Sequence, residues 1–213
     1  MISLSFNIQW VRIISPGALL VKAGLVTIVL LTYFYPGVAT ADYVVTDKDL
    51  LILPEYCAVR TRLGIDNSKP KVVYWKGVMG QTYDHLHHYC RAQKYLNCGK
   101  LEVDKKERSE CLARALDQFD YVLERMSNNF PLEPEVHVLK GDTLYLLGRT
   151  GDAMSEYNQA IAIKPDYLKS YRNEAKMLQE IGQIPQAIAV IEQGLKVKPR
   201  SRSLTRMLEE LKE

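Results

Sequence analysis

Residues 134–165, PEVHVLKGDTLYLLGRTGDAMSEYNQAIAIKP, and residues 168–199, LKSYRNEAKMLQEIGQIPQAIAVIEQGLKVKP, lie in register at an offset of 34 residues, the interval from Gly148 to Gly182. The same offset places Gly141 on Ala175, Leu144 on Leu178, Ala153 on Ala187, Ala160 on Gly194 and Pro165 on Pro199. A period of this length marks stacked units, each too small to bury its own apolar face, so neighbours must share one continuous core. In the first copy Val138, Leu139, Leu144, Leu146 and Leu147 have helical spacing. Residues 148–151 interrupt that spacing, Ala153, Tyr157, Ala160 and Ile161 resume it, and Pro165 ends it. Each unit reads as helix, glycine break, helix, proline stop.

The order of small, aromatic and proline positions resembles the tetratricopeptide repeat, a family of helix-turn-helix units with this period. Gly141, Gly148, Ala153, Tyr157, Ala160 and Pro165 match its pattern in the first unit, and Tyr171, Ala175, Leu178, Gly182, Ala187 and Pro199 in the second. A weaker copy lies upstream, with His88, Ala92 and Tyr95 spaced as first-helix packing residues and Ala115, Phe119 and Val122 as those of a second helix. It holds roughly eleven residues more than the repeat takes, and the charged run 102–110 within them reads as a longer turn.

The expected fold is therefore all-α: a short tetratricopeptide-type solenoid of about three helix pairs plus a capping helix. The pairs fall at residues 81–131, 134–167 and 168–199, and residues 200–213 form the cap with a polar outer face. Residues 42–80 lack the repeat. There Leu50 to Leu53, Val72 to Trp75, Pro54 and Pro70 read as short mixed segments packed on the first pair, an irregular amino-terminal cap.

Residues 1–41 hold no acidic side chain, carry Arg12 and Lys22, and run apolar from Ala23 to Phe34 before Ala39-Thr40-Ala41. Positive region, short apolar core and small-x-small site are the layout of a secretory signal peptide, with cleavage expected after Ala41. The alternative is a retained membrane anchor, although the apolar run is shorter than the roughly 20 residues that span hydrocarbon. Removing residues 1–41 takes away two of the 28 Lys and Arg and none of the 25 Asp and Glu, leaving 26 against 25. That balance gives no reason to expect nucleic acid or a membrane surface as partner. The expected location is periplasmic or secreted, or the inner membrane if the segment stays.

Cys57, Cys90, Cys98 and Cys111 all lie upstream of the regular repeats. In an oxidising compartment such an even set reads as two disulfides. Cys90 and Cys98 cannot pair if they share a helix, because eight residues at about 1.5 Å rise put them roughly 12 Å apart. Of the two connectivities left, the preferred one joins Cys98 to Cys111 across the inserted turn and Cys57 to Cys90, pinning the amino-terminal segment to the first helix. Four buried thiols are the alternative.

His85, His87, His88 and Cys90 raise the question of a metal. At about 100° per residue, His85 and His88 share one side of a helix while His87 and Cys90 share another, so the four cannot converge on one ion. The reading taken is packing, with no metal and no cofactor. There is no Cys-x-x-Cys pair, Gly-rich phosphate loop or Gly-x-Ser-x-Gly turn. An enzyme is therefore not expected.

The family resemblance implies a concave groove lined by the first helices, with partners lying along it as extended peptides or helices. Projected on that face are Tyr89 and Gln93 from the first unit, Val138, Asp142 and Tyr145 from the second, and Lys169, Arg172, Asn173 and Lys176 from the third. Lys169, Arg172 and Lys176 repeat at i, i+3 and i+7 as one basic stripe beside Tyr145, fit to hold an acidic segment or a carboxyl terminus. The expected function is a non-enzymatic exported adaptor in envelope, secretion or surface-polymer assembly. Its rivals are a metal-binding protein built on the histidines and a membrane-anchored assembly factor.

Overall fold

Helix-starting signals follow one another closely along the chain. In the computed structural model, which describes residues 44–213, Thr46 opens α1 (Asp47–Leu50) with a reciprocal cap, its side chain accepting from the Asp49 amide while the Asp49 carboxylate accepts from the Thr46 amide. Pro54 and Pro70, stiff at φ and lacking a donor, stand at the starts of α2 (Glu55–Leu63) and α3 (Pro70–Met79). A 3-10 turn at Gly80–His85 leads into α4 (Leu86–Leu101). Then come α5 (Lys105–Arg125), α6 (Glu133–Leu146), α7 (Thr150–Ile163), α8 (Lys169–Glu180), α9 (Ile184–Val197) and α10 (Arg202–Glu210). The expected signal peptide, residues 1–41, lies outside the described residues.

Helices α4 with α5, α6 with α7 and α8 with α9 form antiparallel pairs, each pair packs on the next, and α10 closes the far end against α9. Gly148 and Gly182 make the two regular hairpins. Both have left-handed backbone, φ 78° and 77°, which lets the next amide reach back, Arg149 to the Leu144 carbonyl at 2.9 Å and Gln183 to that of Leu178 at 2.8 Å. Within a pair the axes approach through small residues. A Cβ added at Gly141 would come within 2.7 Å of the Tyr157 ring, and one at Gly194 within 2.9 Å of the Tyr171 ring. The fold is thus all-helical, a short solenoid.

Two expectations change. The charged run 102–110 is not a long turn: only residues 102–104 lie between the helices, and the rest starts α5. Asp104 caps that start, accepting from the amides of Lys106 and Glu107 at 2.9 Å each, and Lys, Glu and Arg are good helix formers. The extra residues lengthen both helices, to 16 and 21 residues. The amino-terminal cap, expected as mixed segments, is made of short helices α1 to α3.

Both disulfides have the expected partners. Cys57 of α2 joins Cys90 of α4 with Cα atoms 5.6 Å apart, and Cys98 of α4 joins Cys111 of α5 at 5.9 Å. Cys57 and Cys90 are wholly buried in a core of α2 to α5 residues that reaches Val136 and Leu139 of α6. A second core, from Val138 to Leu204, fills α6 to α10.

Candidate functional site

The first helices of the pairs, α4, α6 and α8, lie side by side. Between them lies an open cavity of about 410 Å³, lined by Lys100 of α4, Asp142, Tyr145 and Leu146 of α6, Tyr157 of α7, and Asn173, Lys176, Met177 and Glu180 of α8. Four of the nine projected groove residues, Asp142, Tyr145, Asn173 and Lys176, meet here.

Asp142 is the hub. The Tyr157 hydroxyl donates to its Oδ1 at 2.9 Å, and Asn173 Nδ2 donates to Oδ1 at 2.9 Å and Oδ2 at 3.1 Å. Lys100 Nζ stands farther off, 3.8 Å from Oδ2. Burial and the adjoining carboxylate push the Tyr157 hydroxyl well above the ordinary tyrosine range, so it stays a donor. On the rim, Lys176 and Glu180 form an exposed i,i+4 pair at 3.8 Å, and a hydrogen bond to Glu180 raises the Tyr145 pKa.

The other projected residues fare differently. Val138 and Tyr89 are fully buried and line nothing. Helix α2 packs on the face of α4 that the repeat register assigns to the groove. Tyr56 stacks on Tyr89 at 6.3 Å between ring centroids, and the Cys57–Cys90 bridge holds it there. The Tyr56 hydroxyl interacts with Tyr89 and Gln93, and burial followed by Glu135 lifts its pKa to about 12. Even so, Tyr89 Oη and Gln93 Nε2 lack a well-formed hydrogen bond among the described residues. The basic stripe does not survive as a free feature. Lys169 is paired with Glu135 at 3.2 Å and Lys176 with Glu180, leaving Arg172, exposed and outside the cavity, without an ion pair among the described residues.

The histidines pack as rings, with the His87 and His88 centroids 4.2 Å apart. His88 stacks on Tyr121 at 3.7 Å and bonds through Nδ1 to Gln118 at 2.8 Å. His85 meets the edge of the same tyrosine ring at 5.8 Å, His87 lies 3.1 Å from the Arg60 guanidinium, and Cys90 is spent in the disulfide. Burial, then the neighbouring His88 and Arg60, hold the His87 pKa down at about 4. The arrangement is that of packed rings.

Five cavity residues escape the sequence reading: Lys100, Leu146, Tyr157, Met177 and Glu180. Tyr157 is legible only as a packing residue, because its ring fills the space over Gly141 while its hydroxyl emerges in the groove. Lys100 reaches the cavity because α4 runs on to Leu101, bringing its last turn beside α6 and α8.

The tetratricopeptide-repeat family model matches residues 134–167. Among curated proteins, the protein STIP1 homolog of Dictyostelium discoideum is 28% identical over 123 residues, 56% of this chain but 20% of that protein. The chain therefore spans a small part of that relative. Among solved structures, a thermophilic TPR protein of Thermus thermophilus is 19% identical with a TM-score of 0.54, over 73% of this chain and 77% of that one. That likeness shows the fold. The first TPR of Spaghetti (RPAP3), solved bound to the HSP90 peptide SRMEEVD, is 18% identical with a TM-score of 0.40, over 57% of this chain and 92% of that one.

Proposed function

We propose that this protein is a non-enzymatic adaptor that holds a peptide or helix of a protein partner in the cavity between α4, α6 and α8. The observation that carries this is the cavity itself: an opening of about 410 Å³ with apolar walls from Tyr145, Leu146 and Met177 and polar groups converging from three helices. Such a site has room and donors for a segment of chain.

The adaptor works outside the cytosol, in envelope, secretion or surface-polymer assembly. The paired cysteines support an oxidising compartment, and the sequence of residues 1–41 supports export with cleavage after Ala41. Among the described residues no helix is long and apolar enough to cross a membrane. Intact mass of the protein from its host, alkylated with and without reduction, tests the compartment: the expected species lacks residues 1–41 and has all four cysteines protected. A full-length species that fractionates with membranes would favour the anchored factor instead. The groove is tested by a photoreactive residue at position 145. It should crosslink a discrete partner that the same probe at the exposed position 189 does not, and equal labelling from both positions would remove the cavity from the proposal.

A further inference from the structure

The cavity has a charge arrangement that decides what kind of segment it takes. Asp142 is mostly withdrawn from solvent, its side chain 17% exposed, and the groups that hold it at contact distance, the Tyr157 hydroxyl and the Asn173 amide, are neutral. Neutral donors orient a carboxylate without cancelling its charge. Of the two lysines that line the cavity, Lys176 pairs with Glu180, and Lys100, 43% exposed, stands 3.8 Å from Asp142, too long for a good charged hydrogen bond. Oδ1 already accepts two hydrogen bonds and Oδ2 one, so the open acceptor position is on Oδ2, on the side where Lys100 stands.

A partner's carboxylate is therefore turned away. The Asn173 amide that it would need is committed to Asp142, and the two like charges would share one half-buried site. A partner's cation meets an oriented carboxylate with a free acceptor position, displacing only a loosely held, exposed lysine. Its alkyl stem finds Tyr145, Leu146 and Met177 alongside. Glu180 on the rim adds a second carboxylate, 3.8 Å from the still more exposed Lys176.

We infer that Asp142 is the specificity-determining residue of the groove, and that the cavity seats an arginine or lysine side chain of the partner rather than an acidic group or a carboxyl terminus. This rests on the adaptor reading. It replaces the expectation of an acidic segment or carboxyl terminus, because Lys169 is paired with Glu135, Lys176 with Glu180 and Asn173 with Asp142. Because α2 covers the corresponding face of α4, the basic residue enters at the α6 and α8 end.

The test uses the full chain in mild detergent against an array of acetylated, amidated ten-residue peptides, in matched pairs that carry Arg or Glu at the centre of an otherwise identical apolar sequence. Arg peptides should bind, and both Asp142→Asn and Tyr145→Ala should weaken them by about tenfold or more. Lys100→Gln, an exposed change safe for the fold, should strengthen them by removing the internal competitor; unchanged or weaker binding there overturns the cation seat. Glu peptides that outbind their Arg twins and depend on Tyr145 would overturn the charge inference while the groove stands. If binding of no peptide depends on Tyr145, the groove reading fails and this inference with it.

Discussion

Helices α1 to α5 and helices α6 to α10 meet the same requirement, that short helices share a core, by different means. In the second region the devices are local and repeated: glycine hairpins, a small residue at each close crossing, and a proline within the first turn of α6 and α9. It contains no cysteine. In the first region the helix lengths are uneven, two disulfides bind α2 to α4 and α4 to α5, and aromatic rings fill the spaces. That region also keeps most of the exposed large apolar side chains of the described residues, with Val44, Leu51, Ile52, Ile65, Val73, Tyr74 and Val78 all before residue 80. Regular packing leaves each unit's apolar face covered by the next, whereas an end unit has one neighbour fewer and is held by covalent links.

The largest break in that comparison should come from Cys57→Ala with Cys90→Ala. The bridge closes a sequence separation of 33 residues, for which removal is expected to cost about 3–4 kcal/mol. The urea midpoint should fall accordingly, with amide exchange rising in α2 and α4 while α8 and α9 keep their protection. Equal loss of protection in α8 and α9 would mean that the two regions unfold as one, and the contrast would be one of composition only.

A second contrast lies between the repeats themselves. Lys140 and Glu174 occupy the same register position, 34 residues apart. Lys140 is gripped by Asp120 at 2.8 Å and Glu156 at 2.7 Å. The positions 34 residues after those carboxylates hold Met154 and Val190, so Glu174, 3% exposed, is left with an unpartnered Oε2. Burial alone lifts its pKa from the usual 4.5 to about 7. The folded state thus holds this proton more tightly than the unfolded chain. Stability is full below about pH 4.5 and is lost as pH rises through about 7, by roughly 3 kcal/mol. Glu174→Gln should flatten the thermal midpoint between pH 5 and 8 and stabilise the protein at the upper end. A wild-type midpoint that does not fall over that interval would show the carboxylate to be solvated.

How far the sequence can be read follows from the same split. The register of Gly148 with Gly182 and of Pro165 with Pro199 is a local signal, and it places the hairpins and pairs correctly. Helical rise excludes one of the three cysteine connectivities, and the preference between the other two comes from what each bridge would clamp. The α4–α5 turn is not legible, because a charged run is equally at home in a loop and at a helix start, and the decision lies in one capping side chain, Asp104. The groove fails in part for a different reason. Helical phase says which residues face a side, and that Glu180 neighbours Lys176 one turn away, but not that α2 would cover Tyr89, nor that Glu135 of α6 would be close enough to occupy Lys169 of α8.

Close crossings in the regular region should be sensitive by a smaller amount. Gly141→Ala puts a methyl group against the Tyr157 ring and is expected to cost about 1–3 kcal/mol, read from the urea midpoint. At Gly151, where an added Cβ meets nothing within 4 Å, alanine should be neutral or slightly stabilising. Matching costs at the two sites would show that helix propensity and not the crossing dominates.

The smallest effect is expected where function is expected to be largest. Lys176 is 70% exposed and its partner Glu180 is one helical turn away at 3.8 Å, an arrangement worth at most about 0.5 kcal/mol. Lys176→Ala should therefore leave the urea midpoint nearly unmoved. Yet it removes the cation beside the rim carboxylate, so Glu180, which still accepts from Tyr145, loses its charge partner, and binding of Arg-bearing peptides should rise while stability stays level. Lys140→Ala makes the opposite case, since Lys140 is 18% exposed between two carboxylates and its loss takes their shared cation away: stability should drop and the groove should be untouched. Should both substitutions move stability alike, the distinction between a lysine built into the stack and one set on the groove rim would not hold.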